Sequence, residues 1–404
     1  MAATQTLSPQ TQTLLAEMEA AVMFTAKRPP VVMARGRGSW LWDVDGRPYL
    51  DFVQGWAVNA LGHCPPVLAR ALSAQAKVLV NASPAFYNAP WIHFAQLLSQ
   101  QSGLDKVFFT STGAEANEGA LKLARKYGAV KLNGAYEVIT THNAFHGRTL
   151  AMMSASGKAA WDKLFLPKVP GFVHVPFNDL AAVAGAITKN TCAIMVEPVQ
   201  GEGGVHVADV AYIQGLRALC DQHKLLLILD EVQTGIGRVG SLFAYQQYQV
   251  LPDVLTLGKG LGGGFPVSAT LCRNAYNIFE VGEQGGTFCA QPLAMVAGLA
   301  VVQEVIRRKL PQRAEQNGRY LMRGLAKLAP RFGLKNIRGK GLLIGVDLPQ
   351  DKGADVVVVA RELGLLLNSP QLATLRFMPA LTVSRKEIDQ ALHLLAQALE
   401  RVLI

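Results

Sequence analysis

The sequence predicts an α/β protein with a mainly parallel sheet and a second, smaller α/β domain toward its C-terminus. Short apolar runs at 107–109, 137–140, 193–196, 225–229 and 254–257 alternate with helical stretches. Runs this apolar suit strands covered on both faces, and strand–helix alternation is the pattern of a parallel sheet. Length is the third observation: 404 residues, 50% of them hydrophobic, exceed what one core usually accommodates.

Residues up to about Thr25 read as a polar arm followed by an amphipathic helix. Asp45-Gly46 between the alternating segments 39–44 and 47–52 predicts a hairpin. The strand–helix alternation then occupies 107–270. After Gln291 a long helical pattern runs to about Leu328; its apolar part, 293–302, is too short to span a bilayer and reads as a core helix. Strand-like pieces at 341–346 and 374–377 and helices at 354–363 and 385–402 make up the C-terminal region. No internal repeat or low-complexity segment interrupts the chain.

Charged residues are only 17% of the chain, so much surface is expected to be hidden in a core or a subunit interface. The net charge is +10, but its lysines and arginines are scattered. That distribution favours small anionic ligands over nucleic acid. Five cysteines, odd in number and without a CxxC pair, predict neither disulfides nor a metal site. They suit a reducing cytoplasm, and the polar N-terminus shows no secretory signal.

Three motifs carry chemistry. The run from Phe108 to Glu115 ends a strand and opens a helix, with Thr112 and Glu115 at capping-box spacing. The free N–H groups and dipole of such a terminus bind phosphate, although an ordinary capped helix has the same pattern. Asp230 and Glu231 follow the apolar run 225–229. A carboxylate at a strand's carboxyl end is either a helix cap or the partner of a cationic ligand group such as a pyridinium nitrogen. Lys259 lies among glycines in the segment 258–264, after another strand. It is either a surface-loop lysine or a desolvated amine able to attack aldehydes; no P-loop pattern is present. Together the three supply what pyridoxal 5′-phosphate (PLP) needs: a phosphate cup, an acid for the ring nitrogen and a lysine tether.

With these motifs the chain resembles the class III, fold type I, PLP-dependent aminotransferases from about Pro30 onward, nearest the acetylornithine, succinylornithine and ornithine branch. The strings that carry the resemblance are Leu50-Asp51-Phe52, Ala57-Val58-Asn59-Ala60-Leu61-Gly62-His63, Thr112-Gly113-Ala114-Glu115-Ala116-Asn117 and Phe145-His146-Gly147-Arg148-Thr149. Glu197-Pro198-Val199-Gln200-Gly201-Glu202-Gly203-Gly204, the run Asp230 to Arg238, and Gly258-Lys259-Gly260 complete them.

The resemblance implies a seven-stranded, mainly parallel sheet in a large PLP-binding domain, 56–305. A small C-terminal domain, 306–404, would be joined by the N-terminal segment 1–55. It implies that Lys259 carries the cofactor as a Schiff base and moves the proton, and that Asp230 bonds the ring nitrogen. Thr112, Gly113 and Ala114 would bind the phosphate, Phe145 and Val232 would cover the two ring faces, and Gln233 would meet the phenolic oxygen. Thr287 would reach the neighbouring subunit's phosphate, making a homodimer with shared sites. Arg376 would grip a substrate carboxylate, Glu202 would pair with Arg376 when an amine-ended donor binds, and Arg148 would hold the donor's α-carboxylate.

Two departures from the family pattern bear on the donor. Phe288-Cys289-Ala290-Gln291-Pro292 follows Thr287 where Gly-Gly-Asn-Pro is usual. Gln54-Gly55-Trp56 stands where Ser-Gly-Ile is common, so Trp56 either lines the substrate entrance or packs in the core. His146 reads as structural, and His63, His142 and Cys289 carry no further chemistry. The activity implied is transfer of the terminal amino group of N2-acetylornithine to 2-oxoglutarate. Succinylornithine, ornithine, 4-aminobutyrate or a diamine are other donors, and an aminomutase or a non-catalytic binding protein are other classes.

Overall fold

Seven strands form the central sheet of the structure, a computed structural model that describes residues 7–404. The first six residues of the expected polar arm lie outside the described residues. The strands are β1 (Lys106–Thr110), β2 (Glu137–Thr141), β3 (Phe172–Val175), β4 (Thr191–Val196), β5 (Leu226–Asp230), β6 (Val254–Leu257) and β7 (Ser268–Cys272). Their order is β1-β7-β6-β5-β4-β2-β3, and only β7 runs against its neighbours.

Every residue of β4 to β7 is buried. Alternation sends Leu227 and Leu229 of β5 into one core cluster and Leu226 and Ile228 into the other. Burying each such side chain contributes about 2 kcal/mol, which is why a sheet this apolar sits mid-molecule. Five of the strands were legible as apolar runs. β3 and β7 were not: β3 is an edge strand interrupted by His174, and β7 carries Ser268, Thr270 and Cys272 among its five residues.

The Asp45-Gly46 hairpin pairs Trp40–Asp43 with Pro48–Asp51. Its sheet is completed by Leu365–Leu366 from the far end of the chain, parallel to the strand at Leu50. The C-terminal region builds a separate four-stranded sheet, in the order Lys335–Lys340, Leu343–Asp347, Thr374–Phe377 and Asn368–Gln371. The long helical pattern after Gln291 is two helices, Pro292–Arg307 and Leu310–Phe332. Lys309 breaks it by adopting φ +51°, and Pro311 suits the first turn of the second helix. The N-terminal helix, Pro9–Ala21, buries only Thr11, so the expected amphipathic face meets no core.

Helix Gly113–Lys131 begins with the expected capping box between Thr112 and Glu115 and lies across β7, β6 and β4. Its backbone approaches closely at Gly128, where an added Cβ would lie 1.9 Å from the Ala135 carbonyl oxygen and 2.8 Å from Cys192 Cβ. Backbone cannot yield as a side chain can. Gly128→Ala should therefore lower the unfolding free energy by about 2 kcal/mol or more, measured by denaturant unfolding. An unchanged midpoint and slope would refute that packing.

Candidate active site

The carboxyl ends of β1, β2, β4, β5 and β6 open on one side of the sheet, where an open α/β sheet takes its ligands. From these ends come Thr112, the 142–148 segment, Glu197, Asp230 and Lys259.

Asp230 closes β5 and is nearly inaccessible. Its Oδ1 accepts the Val232 N–H (3.0 Å), and its Oδ2 accepts from Asn117 Nδ2 (2.7 Å) and faces His146 Nδ1 (2.8 Å). His146 is wholly buried. Burial alone would lower its pKa, but the hydrogen bond and charge of Asp230 outweigh that and raise it. Glu231, the second acid, turns away: its carboxylate accepts the N–H groups of Ala244 (2.6 Å) and Tyr245 (2.8 Å), and burial pushes its pKa up to about 7.

Lys259 follows β6 with φ +43°, a strained conformation for a residue with a Cβ. The residue keeps some accessible surface, but burial of the amine lowers its pKa, against the raising charges of Glu202, Asp230 and Glu197. Its Nζ lies 5.9 Å from the centre of the Phe145 ring. The Phe145 N–H donates to Glu197 (2.8 Å), whose carboxyl burial raises to about 7. Val232 packs on Gly113 and Gly258, where an added Cβ would meet its Cγ1 at 2.6 and 3.2 Å.

Of the three residues expected to cradle phosphate, Thr112 is engaged elsewhere: its N–H and hydroxyl both donate to Glu115 (2.7 and 3.0 Å). Gly113 and Ala114 begin the helix, where N–H groups have no partner within it. Gln233 is buried, and neither of its amide atoms is hydrogen-bonded among the described residues. An added Cβ at Gly201 would lie 1.5 Å from Gln233 Oε1, so a side chain there would displace the amide.

Arg376 is fully buried on Thr374–Phe377. Its Nε donates to Asn368 Oδ1 (2.8 Å) and its Nη2 to Glu202 Oε1 (2.7 Å), while Nη1 has no partner among the described residues. Burial would raise the Glu202 pKa, but the charge and hydrogen bond of Arg376 overcome it and hold the carboxyl low. Arg148 is exposed and lies near the Phe145 and Trp161 rings.

Two expected residues stand apart. Thr287 is exposed and joins no other site residue through a hydrogen bond among the described residues. Trp56 is 51% exposed, so it is not core packing; it sits on the left-handed turn 54–57, whose Ala57 carbonyl lies near Gly260. Cys289 has a thiol pushed up to about 11 by burial. Asn117, His146, Glu197 and Lys158 were not singled out as site residues. Asn117 was legible in part, four residues after Gly113 on one helix face, but the others depend on tertiary placement.

The donor set fits a flat, phosphorylated pyridine aldehyde. A buried carboxylate, two apolar side chains, an unpartnered amide and a desolvated amine surround the space, with a helix N-terminus at one end. The orphaned Gln233 amide is the sharpest sign, because a buried amide without a partner costs stability in the protein alone.

Residues 23–399 match the family described as Aminotransferase class-III. An acetylornithine aminotransferase of Ralstonia nicotianae is 51% identical over 386 residues, covering 94% of this chain and 97% of that protein. The acetylornithine aminotransferase 2 of Bordetella bronchiseptica is 52% identical over 376 residues, covering 92% and 95%. Among solved structures, an ornithine aminotransferase of Toxoplasma gondii, described with partial occupancy of PLP at its active site, superposes with a TM-score of 0.92. It is 33% identical and the match covers 97% of this chain and 94% of that one.

The raised Glu197 makes the site's stability depend on pH. In the fold the group keeps its proton to about pH 7, whereas unfolded it loses it near 4.5. Its contribution is therefore full below about 4.5 and is lost as pH rises toward 7. Glu197→Gln cannot titrate. The unfolding free energy of this variant minus that of the wild type should grow across that interval, in denaturant titrations of the ligand-free chain. A difference independent of pH would show that Glu197 is not held protonated.

Proposed function

The chain belongs to the class III aminotransferases, and from that premise we propose that it moves the terminal amino group of N2-acetylornithine to 2-oxoglutarate, using PLP. The products are N-acetylglutamate 5-semialdehyde and glutamate. The observation that carries the reading is the ion pair of Glu202 with the buried Arg376 guanidinium, whose Nη1 has no partner among the described residues. While paired, Arg376 is screened and the pocket accepts an amine-ended chain. When Glu202 swings aside, the same guanidinium can take a carboxylate of 2-oxoglutarate in a bidentate grip.

Bound PLP supplies an aldehyde carbon that ferries the amino group and a ring that accepts the electron pair of the deprotonated carbon. The residues act around it. Gly113 and Ala114 N–H groups, with Thr112 at the cap, hold the phosphate at the helix N-terminus. Val232 and Phe145 cover the ring faces, and Gln233 gives the phenolic oxygen the partner its own amide lacks. Asp230 keeps the ring nitrogen protonated; His146 and Asn117 fix its carboxylate in place. Lys259 tethers the cofactor. Its lowered pKa leaves more of the amine neutral, so Nζ can take and return the proton at the reacting carbon. Arg148 holds the donor's α-carboxylate, and Trp56 narrows the entrance.

We infer a homodimer, in which Thr287 reaches the neighbouring subunit's phosphate. Exposed Met23, Phe24, Phe86 and Tyr87 support a covered face. The domain division read is 56–305 and 306–404, with 1–55 joined to the latter. Five free thiols favour a reducing cytoplasm. Among the described residues no helix is long and apolar enough to cross a membrane.

The deciding experiment mixes the PLP-loaded protein with single donors, without 2-oxoglutarate, and follows its absorbance. N2-Acetylornithine should convert the lysine-linked band fastest; faster conversion by 4-aminobutyrate or a diamine would overturn the donor. Lys259→Ala should abolish turnover and that band, and an unchanged spectrum would refute the tether. Arg376→Ala should slow glutamate formation from 2-oxoglutarate by about tenfold to a hundredfold, the worth of a charged hydrogen-bond pair. Unimpaired glutamate formation would remove Arg376 from carboxylate binding.

A further inference from the structure

Lys158 plays no part in the reading above, yet it sits beside the same pocket. Its ammonium lies 5.0 Å from the centre of the Phe145 ring and 5.1 Å from that of Trp161. Arg148 is aimed at the same two rings, at 6.0 and 5.6 Å. The rings meet edge to face, 5.9 Å apart and inclined at 65°, so one aromatic wedge carries two cations.

Neither cation has an ion-pair or side-chain hydrogen-bond partner among the described residues. The acids whose charge reaches Lys158 are Glu202 and, once it ionises, Glu197. Glu202 is engaged with Arg376 and Glu197 with the Phe145 N–H. Two like charges converging without a counter-ion repel each other, and a ring contact offsets only about 0.5–2 kcal/mol. Burial, helped by Arg148 and Arg376, accordingly lowers the Lys158 pKa. Two adjacent cations without a side-chain counter-ion among the described residues favour binding of an anion.

The lysine is held by a rigid frame. Gly157 has φ +55°, and an added Cβ there would lie 2.7 Å from His174 Cδ2 and 2.8 Å from the Thr141 carbonyl oxygen. Its own carbonyl accepts the Asn143 N–H (3.0 Å), and the Lys158 carbonyl accepts that of Trp161 (2.8 Å). The segment is thereby pinned to the carboxyl end of β2. The Lys259 amine lies 5.9 Å from the centre of the same Phe145 ring, so the reactive amine and the two cations border one aromatic side chain.

We propose that Lys158 is a specificity-determining residue. With Arg148 it forms a carboxylate subsite that holds the donor's end remote from the reacting amine, and then the distal carboxylate of the dicarboxylate acceptor. This rests on the aminotransferase reading. What it adds is Lys158, as a second cation beside Arg148 on the Phe145 and Trp161 rings. An amine lacking any carboxylate gains nothing from the subsite.

The test compares PLP-loaded wild type with Lys158→Gln and Lys158→Arg. Glutarate, a dicarboxylate with no keto group to react, is titrated by calorimetry, and the half-reactions with N2-acetylornithine and 2-oxoglutarate are followed by absorbance. Lys158→Gln should weaken glutarate and raise the apparent KM of both substrates about tenfold or more, as for a lost charge-assisted hydrogen bond. Its lysine-linked absorbance band and Tm should match the wild type, and Lys158→Arg should restore most of the binding. Glutarate binding equal in Lys158→Gln and wild type would overturn the subsite. So would failure of Lys158→Arg to recover what Lys158→Gln loses, since packing and not charge would then be responsible. If the wild type binds glutarate through Lys158 but does not convert N2-acetylornithine, the subsite stands and the donor assignment falls.

Discussion

A carboxylate buried at the end of the central strand governs the geometry of the site. Asp230 has almost no contact with water, and an anion so placed is tolerated only when charge and hydrogen bonds replace its hydration. That requirement brings in His146 and Asn117. Asn117 also donates to the His146 carbonyl oxygen (2.7 Å), so one amide ties helix Gly113–Lys131 to the 142–148 segment and to β5 at once. Phe145 is then located from both sides: its neighbour His146 is anchored on Asp230, and its own N–H is anchored on Glu197. The aromatic face of the pocket is positioned by two buried acids on adjacent parallel strands.

The remaining charges are set by proximity to those acids. Lys259 feels Glu202, Asp230 and Glu197 in its favour, and burial against it; burial wins. Glu202 has the opposite balance, because the guanidinium of Arg376 is in direct contact and outweighs burial. One carboxylate thus depresses the availability of Arg376 while its field still reaches Lys259 and Lys158. A motion of Glu202 would change the electrostatics of three cations together. The low dielectric of the site gives a single side-chain rotation that leverage.

Much of this was legible before the fold was known, for identifiable reasons. Asp230 and Lys259 follow runs of apolar residues, and a charge directly after such a run is placed at the mouth of a parallel sheet by topology alone. The Thr112–Glu115 capping box is a local interaction and formed as its spacing predicted. Relations between segments distant in sequence were less visible. His146 read as structural because nothing adjacent to it reveals Asp230, 84 residues away. Lys158 has an unremarkable neighbourhood in the sequence, and its significance comes from two rings brought together by β2 and the turn at Gly157. Glu231 looked equivalent to Asp230, but consecutive residues at a strand end face opposite sides. β3 and β7 were missed because an edge position and small polar residues weaken the hydrophobic pattern on which strand recognition depends.

The strained turn at 54–57 shows how the distant parts are kept in register. Gln54, Gly55, Trp56 and Ala57 all have φ between +50° and +66°, a single left-handed turn. For residues with a Cβ that hand costs roughly 1–2 kcal/mol each. The Asp51 carboxylate offsets part of it by accepting the Val53 and Gln54 N–H groups (2.8 and 2.9 Å) while its other oxygen meets His63 (2.8 Å). On both sides of the turn the backbone is strapped to the C-terminal region. Phe52 N–H donates to the Leu366 carbonyl and its own carbonyl accepts from Met378; beyond the turn, the Ala60 carbonyl accepts from Leu381. Met378 is two residues from Arg376, and Ala57 and Ala60 lie against Gly260, next to Lys259. The turn is therefore a short mechanical link between the buried arginine and the reactive lysine. An ordinary right-handed turn would relieve the strain but alter the exit of both flanking segments, and with it the separation of Arg376 and Lys259.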